Sequence, residues 1–166
     1  GQMEESLPAY EKAEDLLSKV NSPFDRLWID VNRVDTQIRV RQLDAARQAL
    51  ERITDGALQN QFKWLLARGL SVYGRTFNLG LSFQETLEYL ARADRLFAEI
   101  EAPSDRVRPL YYQAAYYYGA GNDDEALKLA LEGLRLTEGG DPERLSSLDW
   151  LIGFILYRRG MGDKAV

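Results

Sequence analysis

Apolar residues recur along this chain at steps of three and four, and strand-like alternation is nearly absent. Phe62, Leu65, Leu66, Gly69, Leu70, Tyr73 and Phe77 share one helical face. Ala126, Leu127, Ala130, Leu131 and Leu134 share another, with Asp123, Lys128, Glu132 and Arg135 on the opposite side. Helix starts are marked by Ser22-Pro23 with Asp25 close behind, by Ser82 with Glu85 at capping-box spacing, by Asn122 with Glu125, and by Asp141-Pro142-Glu143. Stops are read at Asp55-Gly56, Gly119 to Gly121 and Gly139-Gly140. The pattern predicts a leading helix over 7–20, then antiparallel pairs over 23–41 with 44–54, 57–78 with 83–100, and 105–119 with 123–137. A last helix covers 142–159. Of the five prolines, all but Pro8 are placed at helix breaks.

The pairs repeat. Ala126 falls 39 residues before Ala165 and 40 after Thr86, which falls 40 after Ala46. At the same intervals Ala114 matches Gly153 and Gly74, Tyr117 matches Phe77, and Leu90 matches Leu50. Two antiparallel helices approach closely only where a facing residue is small, and large apolar side chains a turn away fill the gaps. One such pair cannot cover its own apolar faces, so neighbouring pairs must stack.

Ala114, Tyr117, Gly121-Asn122 and Ala126, and again Gly153, Leu156, Gly160 and Ala165, give the chain a resemblance to the tetratricopeptide repeat family. Gly74, Phe77 and Thr86 match less well, and Val34, Gln37, Arg41 and Ala46 match poorly. A period near 40 instead of 34 is similar to the longer-helix variety of bacterial regulators, such as the maltose-activator type. The resemblance implies an all-α, right-handed α-solenoid of antiparallel helix pairs. It would run over residues 4–166 as one domain, with repeats at about 23–56, 57–102, 103–140 and 141–166. Gly1-Gln2 ahead of Met3 reads as a scar of tag removal, so residues 1–3 are expected to be a disordered start. Lys164-Ala165-Val166 falls where a second helix would begin, so the chain is expected to be a fragment of a longer regulator.

Composition narrows the chemistry. With neither cysteine nor histidine, thiolate nucleophiles, zinc–thiolate sites and the usual general base are excluded. No carboxylate pair stands apart in a recognisable loop, so an enzyme, a metal site and a cofactor are not expected. The net charge of −5 argues against a nucleic-acid surface. Helical phase also scatters Tyr111, Tyr112, Tyr116, Tyr117 and Tyr118 around their helix, where stacking on bases would need them aligned. Gly119-Ala120-Gly121 lacks the Lys-Ser/Thr of a phosphate loop, and Asp123, Asp124 and Glu125 lack EF-hand spacing. No run approaches the ~18 apolar residues of a membrane span, and a cytoplasmic setting is the default expectation.

In such an array the first helices line a concave groove. Phase projection with Leu110, Ala114 and Tyr117 inward turns Arg108, Tyr111, Ala115 and Tyr118 to that groove. The same phase gives Arg68, Ser71, Arg75 and Asn78 in the preceding pair, Trp150, Phe154, Tyr157 and Arg158 in the last helix, and Asp35 and Arg39 in the first pair. Sixteen of the 21 basic residues are arginines, whose guanidinium pairs bidentately with carboxylates. Arginine for carboxylates, asparagine for peptide backbone and aromatics for apolar side chains make a protein or peptide the expected partner. A metabolite-sensing module and self-association through the repeat ends are the alternatives.

Overall fold

The computed structural model of the chain describes residues 2–19, 22–76, 80–137 and 142–160. Eight α-helices and no strand occur among them: α1 Gln2–Ser18, α2 Pro23–Arg39, α3 Leu43–Gln59, α4 Lys63–Arg75, α5 Phe83–Glu99, α6 Pro103–Gly119, α7 Asp123–Leu136 and α8 Pro142–Arg158. None is long and apolar enough to cross a membrane.

Local chemistry starts these helices where the capping residues lie. Ser22 accepts a hydrogen bond from the Asp25 amide, and Pro23 occupies the first turn of α2. Ser82 and Glu85 form a reciprocal capping box, the Glu85 amide donating to Ser82 Oγ at 3.2 Å and the Ser82 amide to Glu85 Oε2 at 2.8 Å. The Glu85 amide's counterpart in α7, the Glu125 amide, donates to Asn122 Oδ1 at 3.3 Å.

Five helix ends share one recipe, three of them without glycine. Arg41, Gln61, Glu101, Gly121 and Gly160 all adopt positive φ just past a helix. The next amide then reaches back five residues: Gln42 to the Gln37 carbonyl at 2.8 Å, Phe62 to Ala57 at 2.8 Å, Ala102 to Phe97 at 2.9 Å and Asn122 to Tyr117 at 2.9 Å. This is the Schellman closure, which satisfies the last carbonyls and leaves one residue before the next helix. Three of the five left-handed residues carry side chains, a conformation costing roughly 1–2 kcal/mol in an L-residue.

Several boundaries differ from the periodicity reading. The leading helix, expected over 7–20, runs from Gln2 to Ser18 and takes in Gln2, Met3 and Pro8, so the described part of the expected disordered start is helical. Helix α3 does not stop at Asp55-Gly56 but continues to Gln59, because Gly56 is a crossing residue. A β-carbon there would lie 3.1 Å from Leu27 Cδ2. Residues 57–62 therefore belong to α3 and its turn, and α4 begins only at Lys63. Pro109 sits inside α6, not at a break; it is buried, and the helix goes on without the hydrogen bond its nitrogen cannot donate. The stop at Gly139-Gly140 and the residues after Gly160 lie outside the described residues.

Each helix packs on the next in the chain, and α2, α4, α6 and α8 also touch one another in succession. No comparable contact links α3, α5 and α7. Small residues sit at the crossings: Gly69 lies under Ile53, Gly74 under Leu90 and Gly133 under Leu148. One apolar cluster joins α2 to α5 around Val34, Leu50, Ile53, Leu65 and Leu70; a second joins α6 to α8 around Ala114, Ala126, Ala130, Leu148 and Ile155.

Candidate partner-binding face

Helices α2, α4 and α6 begin at Pro23, Lys63 and Pro103, 40 residues apart, and the same interval recurs as physical contact between them. Arg75 of α4 pairs with Asp35 of α2 across 40 positions. Trp64 Nε1 of α4 donates to Asp105 Oδ2 of α6 at 3.0 Å, and Tyr116 Oη of α6 donates to the Gly74 carbonyl at 3.1 Å. Arg158 of α8 donates to the Tyr118 carbonyl at 2.7 Å, again across 40 positions. Like positions of successive even-numbered helices therefore stand side by side.

Arg68 is the centre of the face. It is half-buried on α4, and the charges acting most on it, Arg108, Asp35, Arg75 and Asp105, all belong to α2, α4 or α6. Burial first, then the Arg108 charge, push its guanidinium below the ordinary arginine range, with Asp35 opposing. Both acids are otherwise engaged, Asp35 with Arg75 and Asp105 with Trp64. Among the described residues neither Arg68 nor Arg108 makes an ion pair or a side-chain hydrogen bond. Two adjacent half-buried cations without counter-ions are a standing electrostatic cost, offset when an anion arrives.

The projected groove is partly assembled. Arg68, Arg75 and Arg108 come together, but Arg75 already holds Asp35. Ser71 is a correction: at 1% exposure it lies in the core, because α4 packs against α2, α3, α5 and α6 and every residue from Gly69 to Gly74 is buried. Asn78 lies outside the described residues. Tyr111 is half-buried, edge-on to Tyr112 at 5.2 Å, and burial raises its hydroxyl pKa. Tyr118 is covered by the Arg158 guanidinium, 3.8 Å from the ring centroid, while Arg158 also pairs with Asp123. Of the tyrosine run it is Tyr116 that is buried, with Tyr117 half-buried. At the far end Trp150 is 67% exposed, Phe154 51% and Tyr157 75%, with the Trp150 and Phe154 rings 5.8 Å apart. Asp35 lies on the face, and Arg39 is exposed at the end of α2.

Sequence reasoning missed the aromatic end at α2. Trp28, 43% exposed, lies 5.0 Å from Trp64 and 6.4 Å from Phe24. Its signal was available: Trp28 precedes Arg68 by the same 40 residues that separate Arg68 from Arg108.

No family model matches the chain, and no curated protein matches it in sequence. Among solved structures it is similar to BtubC (BKLC) from P. vanneervenii, with a TM-score of 0.83 at 16% identity over 99% of this chain and 69% of that one. At that identity the likeness speaks for the fold alone.

Proposed function

We propose that this chain is a protein- or peptide-binding repeat domain, a right-handed solenoid of the tetratricopeptide type working within a larger bacterial cytoplasmic regulator. The partner lies along α2, α4, α6 and α8, and the role is recognition, not catalysis. The observation that carries this reading is the pair Arg68 and Arg108. Two half-buried cations at matching positions of neighbouring helices, without an acid of their own, are built for an incoming carboxylate. The exposed aromatics at both ends of the same row of helices supply rigid anchors of the kind that dominates protein interfaces.

Charge reversal tests it. Arg68→Glu with Arg108→Glu should abolish capture of peptides selected on the wild-type chain, with helix content and oligomeric mass unchanged. Undiminished capture by the double variant would refute the assignment. A second reading rests on a hollow of about 370 Å³ between the start of α5 and the end of α6, lined by Leu81, Phe83, Thr86, Ala115, Tyr116 and Gly119. Its size suits a small ligand. A metabolite that raises the thermal midpoint of the wild type but not of Thr86→Trp would favour it.

A further inference from the structure

Trp28, Arg68 and Arg108 occupy one register position on α2, α4 and α6, at successive intervals of 40 residues. Neighbouring helices of this row are in contact, and packed helices lie about 8–10 Å apart. A peptide in the polyproline-II conformation advances about 3.1 Å per residue with three residues per turn, so one crossing from helix to helix spans roughly three of its residues and returns a side chain to the same edge.

The chemistry met along that line is ordered. At α2 it is an aromatic platform, Trp28 flanked by Trp64 and Phe24. At α4 and α6 it is one guanidinium each. Asp35 and Asp105 border the line, but both are held by other side chains on the same face.

Resting on the binding role above, we infer that the occupant is an extended acidic segment of a partner protein. It carries one aromatic residue and two carboxylates at steps of three along one edge of a polyproline-II-like stretch, the aromatic on Trp28 and the carboxylates on Arg68 and Arg108. Charge complementarity sets this choice. A purely apolar segment would leave both guanidinium groups desolvated and unpaired, and a basic one would add repulsion. The arrangement is order-specific as well as charge-specific: moving the aromatic between the two acids would put a carboxylate on Trp28 and a ring on Arg68.

Three labelled peptides of identical composition test this by fluorescence anisotropy on the whole chain. One has the order aromatic, acid, acid at steps of three residues. The second has that order reversed, since the row can be traversed either way, and the third has the aromatic between the acids. One of the first two should bind at least tenfold tighter than the third. Arg68→Gln and Arg108→Gln should each remove about tenfold of that affinity, and Arg68→Lys should restore part of it. Substituting glutamine for the facing glutamate should make the matching arginine variant indistinguishable from wild type. Circular dichroism of each variant checks that the fold is intact.

Equal binding of all three peptides, or affinity unmoved by both arginine variants, would overturn the ordering. If a display library still yields peptides that bind elsewhere on the even-numbered helices, the broader role survives that failure. A library yielding no binder at all would sink both.

Discussion

The hairpin of α4 and α5 and the hairpin of α6 and α7 solve the same packing problem with opposite allocations of volume. At matching positions the first uses Gly74 with Leu90, and the second uses Ala114 with Ala130. All are buried, and no methyl group fits in the first: a β-carbon on Gly74 would stand 2.5 Å from Leu90 Cγ and 3.1 Å from the Thr86 carbonyl oxygen. In the second, the methyl of Ala114 is fully enclosed beside Ala126 and Ala130. What is preserved from one hairpin to the next is the filled volume of a pair, not the identity of either residue.

The largest expected effect breaks that pairing directly. Leu90→Ala should cost about 2–5 kcal/mol through lost burial and a cavity, and Gly74→Ala about 1–3 kcal/mol through overpacking. Together they recreate the Ala/Ala arrangement of the neighbouring hairpin. The double variant should therefore be more stable than the sum of its parts by about 1 kcal/mol or more, read from urea unfolding of the full cycle. Strict additivity would show that Gly74 and Leu90 are not packed on each other.

A smaller effect sharpens the comparison at the turns. Glu101 closes α5 and Gly121 closes α6 in the same left-handed conformation, φ 55° and 81°. Glu101→Gly should stabilise by up to about 1 kcal/mol, relief of side-chain strain outweighing the added backbone entropy. Gly121→Ala should destabilise by about 1 kcal/mol although nothing lies within 4 Å of its β-position. Equal thermal midpoints for wild type and both variants would contradict the shared turn.

The smallest effect concerns acid. Glu85 is held below the ordinary carboxylate range by the Ser82 hydroxyl, then by the Ser82 amide, a contact within its own helix start. Asp123 is held down by its hydrogen bond to Arg158, which ties the third hairpin to α8. A carboxylate whose folded pKa is depressed stabilises the fold above its unfolded pKa, and that contribution is lost as pH falls through the folded value. Carboxyl NMR titration should place both groups below the usual range, with Arg158→Gln restoring Asp123 and leaving Glu85 unmoved. Amide protection in α8 should weaken in acid in the wild type, and less so in Asp123→Asn. Glu85 is exposed and Asp123 half-buried, so added salt should blunt the effect, more at Glu85 than at Asp123.

How much of this was legible from the residues follows from the same physics. The helix pairs and their 40-residue interval could be read because caps such as Ser82-Glu85 and small crossing residues such as Gly74 and Ala114 act locally. Gly56 misled because a glycine that ends a helix and one that lets a neighbour approach look alike; only the presence of Leu27 above it decides. The turns at Arg41, Gln61 and Glu101 carried no glycine to announce them. On the candidate face, phase picked out Arg68 and Arg108 at matching positions, but it could not show that α4 is buried all round from Gly69 to Gly74, which takes Ser71 into the core. Trp28 was missed because the first pair carries Val34 where its neighbours carry glycine or alanine, which hid the register that would have placed the tryptophan.

The proposed role requires a partner to cover the even-numbered helices. Hydrogen exchange read by mass spectrometry, with and without a saturating library-selected peptide, measures that directly. Slowed exchange confined to α2, α4, α6 and α8, strongest around Arg68 and Arg108, is the expected result. Protection centred on α3, α5 and α7, with the even-numbered helices unchanged, would contradict it.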